Sequence, residues 1–204
     1  MQKIGINGVE NDNMLDKSIP YVDVLMHRKQ NTPVSIYNLP VDYKFTLFQA
    51  GDEKAWAKIE ASVLEFHDEL DALVYFQKEY LPFISELEKR CLFIQNDKGE
   101  KIATSTAWWC YTGVRRDPWL HWVAVKPQYQ GIGLGKSIIS KITQMMIEIE
   151  GDRDFYLHTQ TWSHKAIKIY EKTGYFITNE KNLFKYTNEN YEQAITILKT
   201  ISSP

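Results

Sequence analysis

Trp119-Leu-His-Trp-Val-Ala-Val-Lys-Pro-Gln-Tyr-Gln-Gly-Ile-Gly-Leu-Gly-Lys136 is the stretch that decides the fold. Trp119 to Val125 is rich in aromatic and β-branched residues and reads as a strand. Pro127 and then Gly131, Gly133 and Gly135 break that pattern. Ile138, Ile139, Ile142, Met145, Met146 and Ile149 follow at helical spacing, so a long helix runs to about Glu150. A helix start offers unpaired N–H groups and a partial positive charge. Glycines let the backbone take positive φ and come close to a ligand. Together they form a cradle for a phosphate.

Three phosphate-binding patterns compete for this turn. Gly135-Lys136-Ser137 imitates the end of a P-loop, but the glycine a P-loop needs five places earlier is Gln130. A dinucleotide fingerprint counted from Gly131 or Gly133 needs its third glycine at Lys136 or Ile138. The third pattern is Gln/Arg-x-x-Gly-x-Gly/Ala, and Gln130, Gly133 and Gly135 match it fully.

With that match the sequence resembles the GCN5-related N-acetyltransferases, in which this loop binds the pyrophosphate of acetyl-CoA. A second stretch agrees in order and separation: Tyr156-Leu-His-Thr, then Ala166-Ile-Lys-Ile-Tyr170-Glu-Lys-Thr-Gly174-Tyr175. The resemblance covers roughly Tyr43 to Tyr186. It implies an α/β fold of the α+β kind, with a mixed, mainly antiparallel sheet of about six to seven strands flanked by helices. It implies acetyl-CoA as co-substrate, held by Val123, Ala124, Val125, Gln130, Gly131, Ile132, Gly133, Leu134, Gly135 and Lys136, with Ser163 and Ala166 from the later helix. Ser163 stands where family members often carry asparagine.

Acyl transfer from a thioester to an amine needs a neutral amine, although an alkylamine resembles lysine, with a pKa near 10.4. It also needs donors for the developing oxyanion and a proton for the leaving thiolate. The resemblance assigns the oxyanion donor to a backbone N–H within Val123 to Val125, and the thiolate's proton to Tyr170. His121 is the candidate base, because strand alternation puts it on one face with Trp119, Val123 and Val125. The arylalkylamine branch of the family is similar at this point. Glu65, His67, Asp68 and Glu69 form a rival cluster at a helix junction, and His158 and His164 are weaker candidates. Against each function stands a bland role: core packing for Tyr170, a satisfied buried ring for His121, and a solvated cap for the acidic cluster. Lys126, Lys136, Lys165 and Lys168 are available to phosphates, although lysines at such places usually serve solvation. Cys110 reads as a buried thiol, with a place lining the acceptor side as the alternative, and no covalent Cys/His pair or metal-ligand spacing is evident. Trp108, Trp109, Tyr111, Trp119 and Trp122 crowd two neighbouring strands, either as packing or as an aromatic wall for a small amine.

Working outward, residues 1–42 read as an N-terminal arm, in which only Ile19 to Met26 has the character of a packing segment. The arm covers core surface, shapes the pocket or makes a homodimer contact. Residues 43–187 form the acyltransferase domain, and residues 188–204 a C-terminal helical extension. Tyr43 to Phe48 is a strand, and Asp52 caps a helix whose inner face is Ala55, Trp56, Ile59, Val63 and Phe66. A second helix, Asp68 to Tyr80, turns Leu70, Leu73, Val74 and Tyr80 inward and stops at Pro82. Cys91 to Gln95 and Lys101 to Trp109 make a hairpin, and Pro118 precedes the next strand. Tyr175 to Thr178 and Leu183 to Tyr186 read as a closing hairpin, and Glu189 to Ile201 as a last helix.

Composition bounds the partners. The 204 residues carry 24 basic and 26 acidic side chains, a formal charge of −2, which argues against nucleic-acid binding through bulk positive charge. Two cysteines exclude a disulfide scaffold, and the absence of a signal-peptide core or long apolar run gives a cytoplasmic expectation without a membrane. The reading is therefore an acetyl-CoA-dependent N-acetyltransferase acting on a primary amine of a small molecule, by direct attack in a ternary complex, without a metal. The alternatives are a non-catalytic acyl-CoA sensor, an interaction module, or an acetyltransferase for protein lysines or N-termini.

Overall fold

The computed structural model describes residues 15–202. Seven strands form one sheet: β1 (Asp23–Arg28), β2 (Tyr43–Leu47), β3 (Cys91–Asn96), β4 (Lys101–Thr112), β5 (Arg115–Val125), β6 (Phe155–Gln160) and β7 (Phe176–Ile177). Their order across the sheet is β2-β3-β4-β5-β6-β1-β7, and every pairing is antiparallel except β5 with β6. Six helices accompany it: α1 (Glu53–Ser62), α2 (Glu69–Glu79), α3 (Ile84–Arg90), α4 (Leu134–Glu150), α5 (His164–Lys172) and α6 (Tyr191–Ser202). No helix among the described residues is long and apolar enough to cross a membrane.

Two apolar layers sandwich the sheet. One joins Ile138, Ile142 and Met146 of α4 to Ile94, Leu120 and Leu157, and takes in Ala166 and Tyr170 of α5. The other joins Trp56, Ile59 and Phe76 of α1 and α2 to Phe93 and Trp108. Inward positions of α2 are Ala72 and Phe76, with Tyr80 just beyond it, while Leu70 and Val74 face solvent at 67% and 55% exposure. The expected inward turn of Leu70 and Val74 is thus off by part of a helical turn. Ile149, also expected inside, is 38% exposed. Asp52 does precede α1, yet its carboxylate accepts from Gln49 N–H and pairs with Lys101 instead of capping the helix.

The largest departure from the sequence reading is β1. Residues 23–28 lie inside the sheet, between β6 and β7, and are not part of a peripheral arm. Val24, Leu25, Met26, His27 and Arg28 are all buried, so the strand shows a short apolar run where half-burial would give alternation. Consequently β7 pairs with β1, and the expected closing hairpin shrinks to a lone bridge between Leu183 and Tyr186. Gly174, at φ +98°, ends α5 against the chain after β1, where a Cβ would stand 2.8 Å from Thr32 Cγ2. Upstream, residues 35–38 cross α4 and accept hydrogen bonds at Ser35 O and Asn38 O from the Ser140 and Ser137 hydroxyls.

Candidate active site

The site begins where β5 leaves its neighbours. Trp119 and Leu120 pair with Tyr156 and Leu157 of β6, and beyond them the parallel pairing stops. On the other edge the register with β4 jumps from Thr106↔His121 to Thr104↔Ala124, so β5 carries an extra residue. Trp122, at φ +50°, takes up the bulge in the left-handed region that a bulky residue rarely adopts. The bulge reverses the alternation expected of this strand. Val123 and Val125 pack toward α4, while His121 meets Tyr80 on the α2 side. The separation of β5 from β6 opens a cavity of about 610 Å³.

Beyond Val125 the chain enters the glycine turn. Gly131 and Gly133 sit at φ +82° and +95°, and a Cβ on either would meet nothing within 4 Å. Both glycines are thus required by backbone angle, and the space beside them is open. Gly133 precedes the first residue of α4, a seventeen-residue helix whose leading N–H groups have no side-chain cap. Gln130 does not reach outward: its carboxamide donates to Val125 O at 2.8 Å and pins the turn to the end of β5. Leu134 is buried and Ile132 half exposed, so only the backbone of Leu134 faces the turn. Lys136 lies over the Tyr37 ring at 5.8 Å, and Lys126 pairs with Glu100 at 2.6 Å. Ser163 and Ala166, both buried, line the cavity at the start of α5. An unpaired strand edge leading to an open glycine turn at a helix start fits an extended, phosphate-bearing co-substrate such as acetyl-CoA.

Tyr170 is 6% exposed, lines the same cavity, and its hydroxyl makes no hydrogen bond among the described residues. Burial, with the nearby Glu65, Tyr175 and Glu60 carrying the same sign of charge, pushes its phenol well above the ordinary value. It therefore holds its proton.

His121 also lines the cavity, but both ring nitrogens are engaged. Tyr80 Oη lies 2.9 Å from Nδ1 and Cys110 Sγ 3.4 Å from Nε2. Burial, with His158 and Lys185 adding positive charge nearby, pushes its pKa down to about 3. The ring is held neutral with both nitrogens engaged, an arrangement that favours a place in the wall over the expected role of proton acceptor. Cys110 does lie beside a histidine, a pair that sequence separation concealed. Burial pushes its thiol up to about 12, so it is a protonated thiol and not an activated nucleophile.

The rival junction divides. His67, Asp68 and Glu69 are exposed, and Asp68 caps α2 by accepting from Asp71 N–H at 2.9 Å. Glu65, exposed like them, also lines the mouth of the cavity, where Gln160 Nε2 donates to it at 3.2 Å. Next to it is a residue that the sequence reading passed over. Glu60 is 1% exposed, lines the cavity, and its buried Oε1 has no partner. The signal was available: Glu60 stands four residues after Trp56 and three before Val63, on the apolar stripe of α1. Of the weaker histidines, His158 lines the cavity and His164 does not. His158 pairs with Asp23 at 2.7 Å and stacks on Tyr186, and His164 lies 3.8 Å from Asp16. Of the aromatic group, Trp119 and Trp122 line the cavity, whereas Trp109 stacks on Trp108 between Arg90 and Arg116. Leu15, Lys17 and Tyr21, read as arm, form one rim of the cavity.

Residues 50–175 match the acetyltransferase (GNAT) family, and the chain belongs to that family. Among solved structures, it is similar to a GCN5-related N-acetyltransferase from Sphaerobacter thermophilus, with TM-score 0.59 and 18% identity over 76% of this chain and 48% of that one. It is also similar to glucosamine-6-phosphate N-acetyltransferase from Arabidopsis thaliana, with TM-score 0.51 and 16% identity over 71% of this chain and 97% of that one. A thialysine N-epsilon-acetyltransferase from Sus scrofa is 33% identical over 63 residues, which span 31% of this chain and 36% of that relative.

Proposed function

We propose that this protein transfers an acetyl group from acetyl-CoA to a primary amine of a small molecule, by direct attack while both are bound. The observation that carries the reading is the open seam between β5 and β6, on a strand whose chain runs on into the glycine turn at the start of α4. Acetyl-CoA would supply a thioester, whose acyl carbon bonds to the amine nitrogen as the C–S bond breaks. Backbone N–H groups of Val123 to Val125 lie at the seam and are the proposed donors to the acyl oxygen. Leu134, Gly135 and Lys136 offer the leading N–H groups of α4 to phosphate, with Gly131, Ile132 and Gly133 giving the turn its shape. Ser163 and Ala166 line the cavity at the start of α5 and are the proposed contacts to the co-substrate there.

Tyr170 is the proposed proton donor to the leaving thiolate, since it is protonated, faces the cavity and has no competing acceptor. His121 is proposed as a neutral ring that fixes the wall beside the acceptor. The relative named for thialysine acetylation favours a small acceptor over a protein chain. The cytoplasm is the proposed compartment, a reading supported by two free, buried cysteines.

Calorimetric titration with acetyl-CoA, followed by thiol release over a panel of amines, tests the reading. Binding with turnover is expected, and Tyr170→Phe should lower kcat roughly 100-fold while acetyl-CoA still binds. Failure of the wild type to bind acetyl-CoA would overturn the reading. Binding without turnover of any amine would leave an acyl-CoA sensor.

A further inference from the structure

We propose that Glu60, with Glu65 beside it, is the cation subsite for the acceptor: the acceptor is an alkylamine that enters as its ammonium, and one proton leaves the carboxyl pair as it binds. This rests on the acetyltransferase reading of the same cavity and names its substrate class.

The case starts from an imbalance. Glu60 is 1% exposed on α1, and its Oε1 is buried without a hydrogen-bond partner. Burying a carboxyl without a partner is costly, and a native protein keeps such a group where it has a use. The group is not sealed in packing, because Glu60 contributes to the cavity wall. Glu65 contributes to the same wall, and its backbone N–H reaches Glu60 O at 3.4 Å where α1 ends. No Lys or Arg forms an ion pair with either carboxyl among the described residues.

The charges facing Glu60 all point the same way. Tyr75 from α2, Tyr80 just beyond its end, and Tyr170 from α5 are phenols that stay protonated and bring no positive charge. Glu65 adds a like charge, and burial together with that neighbour raises Glu60 well above the usual carboxylate range. Glu65 is exposed at the mouth of the cavity, where the Gln160 hydrogen bond and Lys17 at the rim favour its charged form. Glu60, buried beside that second carboxyl, resists ionisation unless a cation joins it. An alkylammonium, with a pKa near 10.4, is such a cation at neutral pH, and the rings of Tyr75 and Trp122 in the wall suit its charge and its chain. An arylamine arrives neutral, and an amine that carries a phosphate brings an anion toward two carboxyls. Neither matches the site.

The proton balance is explicit. The empty pair holds the Glu60 proton, and the free acceptor is R–NH3+. On binding, one proton passes to solvent and the ion pair forms. Glu60 then takes a proton from the bound ammonium, leaving a neutral amine with a free lone pair and a protonated carboxyl.

The test uses the full chain saturated with CoA, with n-butylamine as the probe, titrated calorimetrically near pH 7 in phosphate and in HEPES, which differ in heat of ionisation and carry no primary amine. The difference in observed heat between the two buffers reports proton release, and about one proton per amine is expected. Glu60→Gln keeps the shape and cannot ionise, so the release should vanish and butylamine kcat/KM should fall roughly 100-fold, with acetyl-CoA affinity unchanged. Glu65→Gln should weaken butylamine by about 10-fold in KM and keep the release. Aniline and glucosamine 6-phosphate should be turned over at least about 100-fold less efficiently than butylamine. Equal turnover of aniline, or Glu60→Gln with wild-type release and kcat/KM, would overturn the inference while leaving the acetyltransferase reading standing. Absence of acetyl-CoA binding in the wild type would remove both.

Discussion

Tyr80 Oη lies 2.9 Å from Nδ1 of His121, and this contact decides what the histidine can do. Tyr80 is 1% exposed, and burial holds its phenol well above the ordinary range, so its hydroxyl keeps its proton. Between a protonated phenol and a protonated thiol, the neutral ring donates from one nitrogen and accepts at the other. The ring is then a fixed neutral element in the wall.

Its pH signature follows from the sign of the shift. His121 falls from 6.5 to about 3 on folding, chiefly through burial. The unfolded chain therefore binds the proton first as pH drops. Above pH 6.5 neither state is protonated and the histidine has no effect on stability. Between pH 6.5 and 3 it increasingly favours unfolding. The thermal midpoint of the wild type should fall from pH 7 to pH 4.5 by several degrees more than that of His121→Gln. Parallel midpoint curves for the two proteins would show that the ring is not held neutral. In the pH profile of kcat/KM, no step belonging to His121 is expected between pH 5 and 9.

The glycine turn gives a graded prediction. Gly133 sits at φ +95° with open space where a Cβ would go. Gly133→Ala adds backbone strain alone, about 1–2 kcal/mol of stability. Gly133→Asp adds similar strain and places a negative charge where the α4 N–H groups point. Acetyl-CoA affinity should drop severalfold in the alanine variant and at least about 100-fold in the aspartate variant, by calorimetry. Equal losses in the two would mean that phosphate is not bound there.

Cys110 separates direct attack from a covalent route. Its thiol is 3.4 Å from His121 Nε2 yet is pushed up to about 12, so little thiolate exists near neutral pH. Cys110→Ala should therefore retain kcat within about 3-fold, with stability lower by roughly 1 kcal/mol for the lost sulfur in a buried wall. A collapse of activity, with an acetylated Cys110 visible by mass spectrometry in the wild type, would replace the ternary mechanism by a double displacement.

The parts of this protein that were legible in its sequence are the parts encoded locally. The turn from Gln130 to Gly135 depends on the angles of its own glycines, and Tyr170 follows from its place in one short helix. What escaped depends on long-range contacts. The chain of β1 is buried by β6 and β7, which come more than a hundred residues later, and its short apolar run from Val24 to Met26 marks a packing segment without saying which strands cover it. The bulge at Trp122 needs β4 as its reference, so alternation alone put His121 on the wrong face. Glu60 was readable on the stripe of α1, but a carboxyl on an apolar stripe gains meaning only once a cavity is seen in front of it.

A last prediction concerns a carboxylate far from that cavity. Glu150, at the end of α4, accepts from Arg90 at 2.6 Å and from Arg116 at 2.6 and 3.0 Å, and the Arg90 and Glu150 side chains are 6% and 8% exposed. The two guanidiniums also flank the Trp109 ring at 5.1 and 4.7 Å, so one carboxylate ties α3, β5 and α4 together. Burial alone would raise the Glu150 carboxyl, but hydrogen bonds from Arg116 and Arg90 outweigh it and hold the carboxyl below its ordinary range. Because its folded value lies below its unfolded one, Glu150 stabilises the fold above the unfolded pKa of 4.5 and loses that contribution as pH falls through its lower folded value. Removing the carboxylate strands the buried Arg90, for which Glu86 is then the remaining acidic partner at 2.7 Å. Glu150→Ala should cost about 3 kcal/mol in urea unfolding at pH 7. That loss should shrink toward pH 3, while acetyl-CoA affinity at low temperature stays at the wild-type value. A loss below about 1 kcal/mol would show that the cluster behaves as an ordinary surface ion pair.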